Sequence, residues 1–326
     1  MKKYVLQTEP AASAARFEKE LNPQQLEAAC APHGQVLIVA GAGSGKTRTL
    51  IYRLLYLLDS GVHPSAMALC TFTRKAAKQM LERAARHEPE LARQVWGGTF
   101  HHLANRILRR HCERLGYRPD YTILDSTDAG ELLGECLTAV ESSLKGRGIL
   151  PRPRVLQHLI GLSVATMTPL EKVVLKSNKR LAGQLELLLK VARMYDRRKR
   201  EMNLMDFDDL LWRLRELVLP ESPVAEEIAA RFQHVLVDEY QDTNPLQAYI
   251  VDRLAAVHEN LTVVGDDAQS IYGFRGASAE SMLTFTQRWP EAMVYRLELN
   301  YRSIPPILNA ANLCISNNRQ QLEKTL

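Results

Sequence analysis

The sequence predicts an α/β protein, a parallel sheet with helices on both faces, interrupted by an all-helical insertion. Three observations predict it. Apolar runs of strand length recur at Val36–Val39, Ala66–Phe72, His234–Val237, Leu261–Val264 and Val294–Leu297. The first run enters a glycine-rich turn and then a helical pattern, the order of a strand–turn–helix unit. From about His101 to Asp206 the pattern is nearly all helical before strands resume, so this stretch reads as an insertion into one sheet domain. With 326 residues, 46% of them hydrophobic, the chain has ample material for a buried core. A formal charge of +5 permits a polyanionic partner without requiring one.

Residues 1–20 have little periodicity and read as a flexible arm. Order is expected to begin at Leu21-Asn22-Pro23-Gln24-Gln25, where Asn22 suits an N-cap and Pro23 the first helical position. Gln25 is either a solvent-facing helix residue or an amide able to pair with both the acceptor and donor edges of adenine. The turn after the first strand is Ala40-Gly41-Ala42-Gly43-Ser44-Gly45-Lys46-Thr47, followed by Arg48. Its glycines let backbone N–H groups converge on a phosphate, with Lys46 for the β/γ-phosphates and Thr47 for a magnesium ion. Ala40 stands where that motif has glycine. Leu50, Leu54, Leu57 and Leu58 then share one helix face. The second strand ends at Phe72, beside Arg74, Lys75 and Lys78, which suits either a stacked base with its phosphates or a core ring next to a solvated helix.

Within the helical stretch, breaks are expected at Gly146-Arg147-Gly148 and Pro151-Arg152-Pro153. Leu181, Leu185, Leu188, Leu189 and Ala192 mark one long amphipathic helix. Nine Lys or Arg stand against two acids between Lys176 and Arg200, which is either a solvated face or a nucleic-acid track. The five cysteines lack C-x-x-C spacing, which disfavours a zinc site or a disulfide framework. There is neither a run of about eighteen apolar residues nor an apolar signal core, so a cytoplasmic protein without membrane contact is expected.

The later strands end in chemistry. His234-Val235-Leu236-Val237 runs into Asp238-Glu239, where Asp238 would hold magnesium and Glu239 would orient and deprotonate a water. After Leu261–Val264 come Gln269, a candidate γ-phosphate sensor, and Tyr272, Phe274 and Arg275, candidate base and phosphate contacts. Leu299-Asn300-Tyr301-Arg302-Ser303 places a further aromatic and cation together.

The ordered set Leu21–Gln25, Ala40–Thr47, Thr71–Ala77, Gly98–His101, Asp238–Asp242, Gly265–Gly276 and Asn300–Ser303 resembles superfamily 1 DNA helicases of the UvrD/Rep/PcrA type. The resemblance implies a RecA-like P-loop NTPase motor domain over 21–100 and 207–298. It also implies a helical insertion over 101–206 and, at 299–326, the start of a second motor domain whose remainder, with a further arginine finger, is absent from this chain. ATP and Mg2+ are the implied cofactors. Gln25 is similar to the adenine-reading glutamine, Tyr301 to the residue stacking on adenine, Gln269 to the γ-phosphate glutamine and Arg302 to an arginine reaching the γ-phosphate. Gly41, Ala42, Gly43, Ser44, Gly45, Lys46, Thr47 and Arg48 complete the nucleotide set, with Thr47 and Asp238 for the metal and Glu239 as base. Phe72, Arg74, Thr99, His101, Tyr272, Phe274 and Arg275 match contacts to DNA.

The implied activity is ATP-dependent 3′–5′ translocation on single-stranded DNA and unwinding at single-/double-strand junctions, in repair or replication. A chain holding half of the motor is expected to turn over weakly, since an arginine finger contributes about 10³–10⁵ in rate. Arg74, Tyr240, Ala268 and Phe274 depart from the family's common Asn, Phe, Asp and Trp; hydrolysis is expected to survive, with less stacking area at Phe274. The alternatives are a non-motor, ATP-switched DNA-binding module and the helicase part of a helicase–nuclease.

Overall fold

A computed structural model describes residues 15–89, 93–142, 151–177 and 179–324. Its core is a six-stranded sheet in the order β3-β2-β6-β7-β1-β8, formed by β1 (Val36–Ala40), β2 (Met67–Thr71), β3 (Trp96–Thr99), β6 (His234–Val237), β7 (Leu261–Gly265) and β8 (Met293–Leu297). Every pairing in it is parallel; Val36, for example, sits between Thr262 and Met293. Parallel strands need helical crossovers, so both faces of the sheet are covered.

Alternation along the strands divides the core accordingly. Val36, Ile38 and Ala40 face a cluster with Leu50 and Leu54 of α2 (Lys46–Asp59) and Met80 of α3 (Arg74–Ala85), beneath Ala28 of α1 (Pro23–Ala29). Leu37 and Val39 face the opposite cluster, with Leu103 and Ile107 of α4 (Phe100–His111). A third, separate cluster forms the helical unit from α5 (Ser126–Ser142), α6 (Pro153–Ala165), α7 (Leu170–Ser177) and α8 (Leu185–Glu201). The chain re-enters the sheet unit through α9 (Phe207–Leu217), whose Leu210, Leu211 and Leu214 pack beside α4.

Several boundaries differ from the sequence expectation. Phe17, assigned to the arm, is buried and meets the Tyr52 ring edge-on at 5.1 Å, so order precedes Leu21; residues 1–14 lie outside the described set. Helix α4, assigned to the insertion, shares its core with the sheet, and the separate helical cluster begins only at Leu124. The insertion is not all helical, because β4 (Thr122–Ile123) and β5 (Leu204–Met205) form a short parallel ladder where it leaves and rejoins the sheet unit. Strand β3 was not anticipated: Trp96-Gly97-Gly98-Thr99 has two central glycines and no apolar alternation to read.

Helix α8 starts at Leu185, after a 3₁₀ turn over Lys179–Gln184, rather than at Leu181. The expected break at Gly146–Gly148 falls outside the described residues. The buried stripe of α8 runs Leu188, Val191, Tyr195 and ends on Lys199, whose ammonium is buried between Asp206 at 2.7 Å and Asp209 at 2.5 Å. Neighbouring Arg198 meets Glu135 at 3.0 Å, Arg200 meets Asp196 at 3.2 Å and Arg197 meets Glu201 at 3.8 Å. At this end of the basic run Lys199 is thus buried between carboxylates, while the three arginines make solvent-exposed pairs. Among the described residues, no helix is long and apolar enough to cross a membrane.

Candidate nucleotide and DNA site

Strand β1 delivers the chain into the 41–45 turn, and α2 leaves it with Gly45 as N-cap. Gly43 and Gly45 have φ of +83° and +89°, which favours glycine. Space demands it too. A Cβ on Gly45 would stand 2.5 Å from Gln25 Nε2, and one on Gly43 would stand 2.6 Å from the Arg302 Cβ. Ser44 donates its hydroxyl to the Gly41 carbonyl at 2.8 Å, tightening the turn.

Gln25 is buried, not solvent-facing. It closes a capping box, accepting from Asn22 N at 3.2 Å while Asn22 Oδ1 accepts from Gln25 N at 2.8 Å, and it donates to the Ser44 carbonyl at 2.9 Å. The residue is thus fixed by its own helix start and held against the loop. Asn22 Nδ2 also donates to Tyr301 Oη at 2.8 Å, which brings Tyr301 beside Gln25. Asn300 holds this last segment against the turn: Nδ2 donates to the Ala42 carbonyl at 2.5 Å, Oδ1 accepts from Arg302 N at 2.8 Å, and Tyr301 N donates to the Gly43 carbonyl at 2.9 Å. Sequence reasoning gave Asn300 no role, and only its place inside a motif signalled it.

The end of β6 completes the centre. Thr47 donates its hydroxyl to Asp238 at 3.2 Å, and the Lys46 ammonium lies 3.4 Å from Glu239 Oε2. Glu239 has φ of +51°, a strained conformation for a residue with a Cβ, costing about 1–2 kcal/mol. Gln241 holds it there, donating to Glu239 Oε2 at 2.8 Å while its own Oε1 accepts from Asp266 N at 3.0 Å. Gln241 is a second residue that the sequence left without a function.

Burial, and then the charge of Glu239, pushes Asp238 up to about 6 and Asp242 likewise to about 6; among the described residues, Asp242 Oδ1 is buried without a hydrogen-bond partner. A hydroxyl and a carboxylate side by side, with an ammonium next to them, form a hard-oxygen donor set suited to Mg2+ and phosphate. The glycine cradle and the unsatisfied Asp242 oxygen are consistent with that fit.

Two expected nucleotide residues are not brought to this centre. Arg48 donates to the Glu20 carbonyl at 2.7 Å and lies 5.3 Å from the centre of the Tyr52 ring. Gln269 donates to Asp266, which also pairs with Lys324 at 2.8 Å, and no hydrogen bond among the described residues joins Gln269 to the phosphate turn.

Beside this centre, a groove of about 890 Å³ opens between the sheet and helical units, lined by Phe72, Arg74, Thr99, His101, Tyr272 and Phe274. Its rings form a row. Phe72 and Tyr272 are 4.8 Å apart and Tyr272 and Phe274 6.0 Å, all tilted, with Phe274 66% exposed. The Phe72 ring is therefore in the groove wall and not in the core. Thr99 caps α4 by accepting from His102 N at 3.3 Å, so its hydroxyl has a structural duty. Burial, and then the charge of Arg74, pushes His101 down to about 4, which keeps it neutral. The Arg275 side chain lies outside the described set. The helical unit adds Arg154, Gln157 and His158 of α6, which no motif signalled because they reach the groove only through packing.

A sequence model of the UvrD/REP helicase N-terminal domain matches residues 21–290. The chain belongs to the UvrD/REP helicase N-terminal domain family. Relatives include the ATP-dependent DNA helicases PcrA of Staphylococcus aureus and Staphylococcus epidermidis, each 38% identical over 94% of this chain. The chain spans 41% of the length of these curated relatives. Family membership accounts for the parallel RecA-like sheet and for the order of its motifs.

Proposed function

We propose that this chain carries the first motor domain of an ATP-dependent DNA helicase that moves 3′ to 5′ on single strands and acts at single-/double-strand junctions in the cytoplasm, with residues 299–326 leading into a second motor domain. One observation carries the reading: Lys46, Thr47, Asp238 and Glu239 meet at the same rim of the sheet from which the Phe72–Tyr272–Phe274 row enters the groove. Nucleotide chemistry and strand gripping then share the same loops.

Bound with ATP, Mg2+ would neutralise phosphate charge and align the oxygens. The glycine turn and Lys46 would hold the phosphate tail, Thr47 and Asp238 the ion, and Gln25 and Tyr301 the base. Glu239 accepts a proton from the attacking water at its carboxylate, oriented by Gln241. Arg302, adjoining the turn, adds positive charge as hydrolysis proceeds.

Gln241 also provides a mechanical link. Its carbonyl accepts from Ser270 Oγ at 3.0 Å, two residues before Tyr272, so the residue holding the hydrolytic carboxylate also holds the loop that bears a groove ring. That link favours a motor over a nucleotide-switched binding module, which has no use for a positioned base. Glu239→Gln and Lys46→Ala in the intact protein are expected to abolish DNA-stimulated ATP hydrolysis; near-normal turnover in either variant defeats this reading.

A further inference from the structure

On the outer edge of the sheet, Trp96 opens β3 at the end opposite Thr99, about 10 Å away at the usual rise of a strand. Three guanidinium groups crowd its ring: Arg106 at 3.6 Å, Arg231 at 4.3 Å and Arg110 at 4.8 Å from a ring centre. Among the described residues, none of the three has a carboxylate within 4 Å. Ring stacking rewards one or two cations, but three in one place repel each other. Burial, followed by the charges of Arg110 and Arg231, pushes Arg106 down, and burial followed by Arg110 pushes Arg231 down.

A second observation points to a ligand. Trp96 is 2% exposed, and its indole N–H has no hydrogen-bond partner among the described residues. Trp96, Arg110 and Arg231 line a cavity of about 290 Å³ together with His111 and Glu227. Glu227 borders the cavity without pairing with any of the three arginines. A buried N–H left unmade costs about 1–3 kcal/mol in general, and an oxyanion supplies both the acceptor and the charge that this cavity lacks.

We propose that the Trp96–Arg106–Arg110–Arg231 cluster is a phosphate-binding site, separate from the nucleotide turn and the aromatic groove, that takes a tetrahedral oxyanion of a nucleic-acid backbone or of a free phosphate. Arg110 and Arg231, both exposed at the rim, supply the charge; the Trp96 indole supplies a donor; Arg106 buttresses the ring. A strand leaving the groove past Thr99 has only the length of β3 to travel before reaching it. Oxyanion binding at the cluster depends on neither the nucleotide centre nor the helicase reading; only its assignment to a strand rests on the groove holding DNA.

The test uses the ¹⁵N-labelled 326-residue chain, with the Trp96 indole N–H resonance assigned by elimination through Trp212→Phe and Trp289→Phe. Inorganic phosphate, titrated at constant ionic strength, is expected to move that resonance saturably in the parent chain and not in Arg110→Gln/Arg231→Gln. In parallel, affinities for a short oligothymidylate and one twice as long are measured across salt concentrations. For a strand-bound phosphate, the double variant flattens the salt slope of the longer oligonucleotide by about 0.7, the loss of one phosphate contact on a single strand, and leaves the shorter one unchanged. A phosphate-induced shift with unchanged slopes assigns the site to free phosphate. A parent resonance that responds to neither ligand, or a response that survives in the double variant, overturns the proposal.

Discussion

Around the phosphate turn nearly every side chain is held by another: Lys46 by Glu239, Thr47 by Asp238, Glu239 by Gln241, and Gln25 by Asn22 and Ser44. The groove on the same rim is built from ring faces, with Phe72, Tyr272 and Phe274 in a tilted row and two-thirds of Phe274 exposed. The contrast follows from the ligands each region suits. Phosphate transfer tolerates little displacement of donors and acceptors, whereas stacking needs only a flat surface and accepts any base. Rigid polar geometry and open apolar faces are two solutions on one scaffold.

That contrast is breakable in order of expected effect. Glu239→Gln removes the base itself, and a loss of hydrolysis of about 10²–10⁴ is expected with the affinity for single-stranded DNA retained; steady-state ATPase and fluorescence anisotropy report the two. Gln241→Ala leaves the base in place but releases it. A fall in kcat of about 10²-fold with little change in KM is expected, together with weaker stimulation by DNA because the Ser270 contact is disturbed as well. Equal stimulation in parent and variant would separate the two regions that Gln241 joins.

Next come the rings. Tyr272→Ala or Phe274→Ala is expected to weaken single-stranded DNA binding by about 1–3 kcal/mol per stacked base and to leave nucleotide affinity unchanged. Isothermal titration with each ligand checks this, and a matching loss for nucleotide would mean that the groove and the turn are one site.

The smallest effect concerns charge in the groove. Asp208 lines it, pushed up to about 7 by burial and then by Asp206 and Asp209; Arg74, His101, Arg154, His158 and Asp242 line the same space. A raised carboxyl is neutral below its titration point and charged above it, so DNA affinity should fall as pH rises through about 7. Roughly 1 kcal/mol of repulsion at a few ångströms in a water-like medium corresponds to about fivefold. His101, held neutral, does not contribute over that range. Asp208→Asn should shrink the difference in affinity between about pH 6 and about pH 8, measured at fixed salt, to the part left by Asp242, which is raised only to about 6.

Much of the nucleotide centre is legible in the sequence because its parts are local: a turn of glycines after an apolar run, and two carboxylates after another, each carry their meaning within a few residues. Arg48 and Gln269 show where locality misleads. Arg48 follows the turn yet donates to the Glu20 carbonyl, and Gln269 donates to Asp266 three residues earlier in its own motif, so position in a motif does not fix where either side chain goes. Gln241 and Asn300 were missed for the converse reason: their roles are contacts across the sheet rim, from β6 to β7 and from the last loop to the first.

By itself, then, the sequence determined the alternation of strands and helices, the parallel sheet, the interruption by helices and the identity of the phosphate and carboxylate motifs, since periodicity and turn chemistry act at short range. Only the tertiary structure decided which charges are spent internally, as when Lys199 closes the α8 stripe between Asp206 and Asp209. It alone decided that α4 belongs to the sheet and that Arg154, Gln157 and His158 face Phe72 across a groove. Those outcomes depend on which surfaces meet, and two residues far apart in the chain meet only after the sheet has closed its order.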